Sequence, residues 1–221
     1  VEYLRRAVID CPDRNDLVQK LVEATRSVDT KPAWLSLSEP LRFVAENSSE
    51  TRPDLFVEAG LALSQCGRTE EGYGLMSQAL VQSQGYVGVD TAFRFAEEHG
   101  YLDELAEALK SAVSDLDEAA RAERLVVFAG HFENMTDGGE RALEHYLQAY
   151  QLDFDNEVYR THVWRLANGL GAWSLVVRFF DLMTDLAHGP ADRFRYLFQR
   201  ALVKYEQLVE IDLAFTTLKR A

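Results

Sequence analysis

The chain has 221 residues, 47% of them hydrophobic, and a formal net charge of −13 from 36 acidic against 23 basic residues. That is enough apolar material for a continuous core, while the charge repels phosphate backbones and anionic lipid surfaces and so argues against nucleic acid as a partner. The longest apolar runs, Leu125 to Gly130 and Leu170 to Val177, fall far short of the roughly 20 residues that cross a bilayer, so no membrane contact is expected of this segment.

Residues 1–14 read as the end of a helix pair. The same phrase recurs near the middle of the chain, where RALEHYLQAYQLDFDN over Arg141–Asn156 sets Ala142, Tyr146 and Ala149 on one helix face before a polar turn. Ala7 stands in the place of Ala149, and Pro12 in that of Phe154. A start at Val1 inside such a phrase suggests a piece of a longer protein, and the compartment stays open. Six helix pairs are expected to follow. The first, residues 15–48, has helices over Asp16 to Val28 and Ala33 to Glu46; Thr30-Lys31-Pro32 lengthens its turn, and Pro40 implies a kink. The second, 53–86, has helices over Pro53 to Gln65 and Thr69 to Gln82, with Gly67 between them. The third, 87–118, pairs Val87 to His99 with Leu102 to Asp115 around Gly100. The fourth, 119–156, pairs Ala119 to Asn134 with Glu140 to Leu152 around Gly138 or Gly139. The fifth, 157–188, pairs Glu157 to Asn168 with Ser174 to Leu186 around Gly171, and the sixth, 189–221, pairs Ala191 to Glu206 with Glu210 to Arg220. The turn glycines recur at about 34 residues, with a small insertion in one interval, and glycine suits the left-handed residue that ends a helix. A fixed period means that each pair buries its apolar face against its neighbours.

The pattern resembles the tetratricopeptide repeat superfamily. Phe56, Gly60, Gly72 and Ala79 match it in the second pair, Gly130, Ala142, Tyr146 and Ala149 in the fourth, and Trp173 and Phe180 in the fifth, where Trp164 replaces a glycine. The resemblance implies an all-α, right-handed α-solenoid of about six degenerate pairs plus a leading half repeat, one array over residues 1–221. Gly60, Gly130 and the paired alanines are then expected where helices cross closely. It also implies that first helices line a concave face. In that register Val57, Leu61, Ser64 and Gln65 face inward, then Asp90, Arg94, Glu97 and Glu98, then Val127, His131 and Asn134, then Thr161, Arg165 and Asn168, and last Asp192, Arg195 and Gln199. Such a mixed polar face, negative around Glu97 and Glu98, suits an extended peptide or a polar polymer.

Catalysis has no positive case. The five histidines lack metal-ligand spacing, and Asp153, Asp155 and Glu157 start a calcium-like run, but Val158 and Trp164 stand where a glycine and a bidentate acid are needed. Gly138-Gly139 lacks a phosphate-loop continuation, and Cys11 and Cys66 have no CxxC partner. No cofactor and no metal are expected. The chain has five lysines, of which Lys20 and Lys204 lie on first helices, so a clamp for a chaperone's terminal carboxylate is disfavoured. The expected function is a non-enzymatic protein–protein interaction scaffold. The alternative is a periplasmic segment of a bacterial exopolysaccharide exporter, since an acidic, degenerate array looks like those of the Pel type, docking a polymer-modifying enzyme or guiding a cationic polysaccharide. Apolar Leu4, Ile9, Leu213 and Phe215 at the two ends make dimerisation a third expectation.

Overall fold

A computed structural model describes residues 2–219, which form thirteen α-helices and no strand. The chain divides into two compact units, Val1–Leu116 and Asp117–Ala221.

The first unit contains α1 (Glu2–Asp10), α2 (Asn15–Val28), α3 (Lys31–Asn47), α4 (Pro53–Gln65), α5 (Thr69–Gln82), α6 (Val89–His99) and α7 (Leu102–Ala112). Its closest pair is α4 with α5, joined by a turn through Cys66, Gly67 and Arg68. The two backbones meet at Gly60 and Gly72, as the small residues at these positions predict. A Cβ on either would stand 2.6 Å from the other's carbonyl oxygen. Phe56 and Met76, each 1% exposed, fill the volume beside that crossing. A continuous core runs from Val8 on α1 through Leu21, Leu37, Leu41 and Val44 to Leu55, Ala59 and Ala79. The turn before α3 is shorter than expected: only Asp29, at φ 43°, and Thr30 separate the helices, because Pro32 at the start of α3 suits a first turn that has no hydrogen bond for its missing N–H. Helix α3 then runs unbroken through Pro40, which is buried.

The second unit contains α8 (Glu118–Glu133), α9 (Gly139–Leu152), α10 (Glu157–Leu170), α11 (Trp173–Leu186), α12 (Pro190–Glu206) and α13 (Ile211–Leu218). Arg220, expected at the end of the last helix, lies outside the described residues. Here α8 and α9 form the closest pair. Ala142 and Ala149 are fully buried against it, with Tyr146 3% exposed, as their spacing predicts. Two glycine assignments are corrected. A Cβ on Gly130 would have no neighbour within 4 Å, so this glycine does not mediate the crossing. The left-handed residue after α8 is Asp137, at φ 60°, rather than Gly138, whose φ is −80°. Aspartate tolerates that backbone because its short polar side chain bonds locally. By contrast, Gly100 and Gly171 end α6 and α10 with φ of 80° and 65°.

Helices α10 and α11 approach each other over much less of their length than α8 and α9. Trp164, on α10, packs edge-on against Trp173 at 6.0 Å and Phe180 at 6.3 Å. Phe154 fills the turn between α9 and α10. It stacks on Tyr150 at 4.6 Å, meets Tyr196 of α12 edge-on at 4.9 Å, and carries the Arg195 guanidinium 4.5 Å above its ring.

Candidate partner-binding faces

In each unit the polar faces of the helices expected to face a partner are open, and arginine–carboxylate bridges join successive ones. In the first unit the Arg26 guanidinium on α2 donates to Glu58 on α4 at 3.1 Å. At the other end of the same groove Arg52 clasps Asp54 at 2.8 and 3.0 Å and donates to Asn15. Between the clasps lies a cleft of about 500 Å³ with Val18, Val22 and Leu55 in its lining. Sequence reasoning missed this groove because it gave the first pair no binding residue.

Asp90, Arg94, Glu97 and Glu98 all lie on α6, and all four are exposed. Val89, Ala92, Phe93, Phe95 and Ala96 turn into the core on the opposite side of that helix, which leaves the charged stripe to solvent. Val57, expected to face inward, is instead 8% exposed and belongs to the core, where its methyl would clash with any side chain at Gly88.

In the second unit Thr161 and Arg165 of α10 do come together with Gln199 of α12. With Arg160 and Trp164 they line a cleft of about 360 Å³. Arg165 is held flat by Glu133 on α8, its two terminal nitrogens donating at 2.7 and 2.8 Å to the two carboxylate oxygens. Glu133 also accepts from the Tyr146 hydroxyl at 3.3 Å, and the Tyr146 ring lies parallel to His162 at 4.6 Å. The bonds from Arg165 hold the Glu133 carboxyl below its ordinary range. Burial, and then the Glu133 charge, push the Tyr146 phenol up. Glu133, Tyr146 and His162 were not expected at this face. One signal was available: Arg26 to Glu58 and Glu133 to Arg165 both span 32 residues, close to the repeat period.

The other expected residues are engaged singly. Asn134 ends α8, and its amide donates to the Gly130 carbonyl at 2.8 Å. The Thr161 hydroxyl donates to the Glu157 carbonyl at 2.7 Å. His131 is half-buried on α8, and Asn168 is exposed on α10, where its carbonyl accepts from Gly171. Arg195 does not line the Arg165 cleft. It bridges to Asp155, whose carboxyl it holds down, and thereby occupies an acid of the calcium-like run. Asn156 of the same run caps α10 by accepting from Val158 at 3.1 Å and Tyr159 at 3.3 Å. Among the described residues no three histidines, cysteines or acids are grouped as metal ligands. Cys66 donates to the Lys31 and Ala62 carbonyls at 3.2 and 3.3 Å, and burial pushes its thiol up, away from thiolate reactivity. At the ends, Leu213 and Phe215 are exposed, whereas Leu4 and Ile9 are half-buried.

No helix among the described residues is long and apolar enough to cross a membrane. Comparison with protein-family models, with curated proteins and with solved structures finds no match to the chain.

Proposed function

We propose that the chain is a non-enzymatic interaction scaffold built of tetratricopeptide-like helix pairs, an α-solenoid that binds a partner protein along the polar faces of its first helices. The observation that carries this reading is the equal 32-residue spacing of the bridges Arg26–Glu58 and Glu133–Arg165. Each spans 32 residues and links equivalent helices of consecutive pairs, as repeated units stacked side by side require. The charged stripe of α6 supplies the contact. Asp90, Glu97 and Glu98 with Arg94 form an exposed negative face in a chain of net charge −13, which favours encounter with a basic, extended segment.

The test is capture of partners from extract by the immobilised chain at low and at moderate salt, beside a Glu97→Lys, Glu98→Lys variant. A partner held by the native chain and lost in the variant supports the reading; a partner retained equally by both places binding elsewhere. The acidic excess also supports a second reading, a segment of an exopolysaccharide export machine that docks a modifying enzyme or guides a cationic polymer. Captured material that resists protease and yields amino sugars on hydrolysis would favour it over a protein partner.

A further inference from the structure

Helix α12 carries an apolar stripe that is largely open to solvent. Phe194 is 52% exposed, Phe198 41% and Tyr205 58%, and half-buried Leu202 lies between the last two. At 3.6 residues per turn these four fall within about 80° of one another along about three turns of helix. The Phe194 and Phe198 rings stack at 6.1 Å, 17° from parallel. Leu197, Ala201 and Lys204 are the residues that α12 buries in the unit, beside this stripe.

Single exposed hydrophobic residues are ordinary, but this stripe is ordered about its own midpoint. Reversing α12 about residue 200 sets Phe198 against Leu202 and Phe194 against Tyr205, apolar on apolar along the whole stripe. The charges that border it follow the same symmetry. Arg195 and Glu206 lie about 20° apart around the helix, both on the Leu202 side of the stripe and at its opposite ends. In an antiparallel pair of identical helices related by a two-fold axis, residues on the same edge face each other, so each Arg195 meets Glu206 of the second copy. Arg195 donates to Asp155 through one terminal nitrogen, and its other N–H groups can serve that contact. Helix α12 is also locally basic, with Arg193, Arg195, Arg200 and Lys204 against Asp192 and Glu206, in a chain of net charge −13. Two acidic copies therefore meet at this helix with less repulsion than across their acidic surfaces.

We propose that two copies of the chain associate through α12, packed antiparallel about a two-fold axis near residue 200. Three turns of helix bury less than the roughly 1,200 Å² of a standard complex, so the dimer is weak and dissociates at about 10–100 µM. The inference does not rest on partner binding along the α6 stripe, and either can fail alone.

Sedimentation velocity of the chain from about 1 µM to about 1 mM brackets that range, and a rise toward twice the monomer mass is expected. A Phe194→Ser, Phe198→Ser variant should dimerise about tenfold more weakly or worse. A Leu213→Ser, Phe215→Ser variant, which strips exposed apolar surface from α13 instead, should dimerise as the native chain does. Arg195→Glu and Glu206→Arg should each weaken the dimer, and the double exchange should recover it. Within one chain the two residues stand three turns apart and cannot compensate each other, so recovery reads the contact between copies. A chain that stays monomeric throughout, a dimer indifferent to the α12 serines, equal loss in the α13 variant, or a double exchange no better than either single would each overturn the proposal.

Discussion

Gly60 and Gly72 share one crossing: each lacks the side chain that would strike the other's carbonyl oxygen at 2.6 Å. Neither neighbour is the yielding end of a side chain, so a methyl group at either position must push the α4 and α5 backbones apart. Gly60→Ala and Gly72→Ala should each lower stability by about 1–3 kcal/mol, the cost of overpacking. Gly130 reads the same way in the sequence but has open space around its missing Cβ. Gly130→Ala should therefore raise stability by up to about 1 kcal/mol, because alanine is the better helix former. Urea denaturation of the three variants distinguishes the sites, and a loss at Gly130 equal to that at Gly60 would refute the distinction.

That contrast shows where the helix pattern was legible and where it was not. Pro53–Gln65 and Thr69–Gln82 are found at the expected residues because proline at the start, glycine after the end and a polar first turn are local signals. Helix α6 begins at Val89 rather than Val87, since Gly85 and Gly88 hold positive φ and keep the chain out of helix until then. Helix α7 stops at Ala112, short of Asp115, and Val113 just beyond it is buried at 5% exposure. What a glycine packs against is a tertiary fact, and one motif covers both a crowded Gly60 and an open Gly130. The polar face divides the same way. Register put Thr161, Arg165 and Gln199 on the inward faces of successive pairs, and these three line one cleft, whereas Asn168, Asp192 and Arg195 of the same faces do not line it. Glu133, which fixes how Arg165 is presented, lies a full repeat away in sequence and looks like any other helix-surface acid.

The Glu133–Arg165 pair should make the second unit sensitive to acid. The Glu133 carboxyl is held below its unfolded value, first by the Arg165 bonds. Its contribution to stability is therefore complete above the ordinary glutamate range and is lost as pH falls through the lowered folded value. With Arg165 about half exposed, solvent screening limits that contribution to about 1 kcal/mol. Glu133→Gln should then lower the thermal midpoint at neutral pH and narrow its gap to the native chain as the pH is lowered. Melting curves from neutral pH down to about 3 follow both, and a gap that widens on acidification would contradict the assignment.

Tyr73 presents the opposite case, a polar atom that costs stability. Its ring stacks on Tyr101 at 4.9 Å, 6° from parallel, and is 7% exposed. Its hydroxyl is buried without a hydrogen-bond partner among the described residues, and burial pushes the phenol well above its ordinary range. Tyr73→Phe keeps the stack and removes the unsatisfied group, so it should leave stability unchanged or raise it by up to about 1 kcal/mol. A loss above about 1 kcal/mol in denaturant titration would mean that the hydroxyl is satisfied after all.

Asn156 does two things at the turn before α10. Its side-chain oxygen accepts from the Val158 and Tyr159 amides, and its side-chain nitrogen donates to Asp153 at 3.1 Å. Asn156→Ala removes both and should cost about 1 kcal/mol, the usual cost of losing an N-cap. Asn156→Asp keeps the acceptor and adds a charge favoured by the helix dipole, but it sets a second carboxylate against Asp153. The aspartate variant should therefore recover only part of the loss at low ionic strength and more of it as salt screens the two acids. Denaturation of both variants across a salt series reads this directly. Recovery independent of salt would show that the Asp153 contact contributes nothing and that the cap alone sets the start of α10.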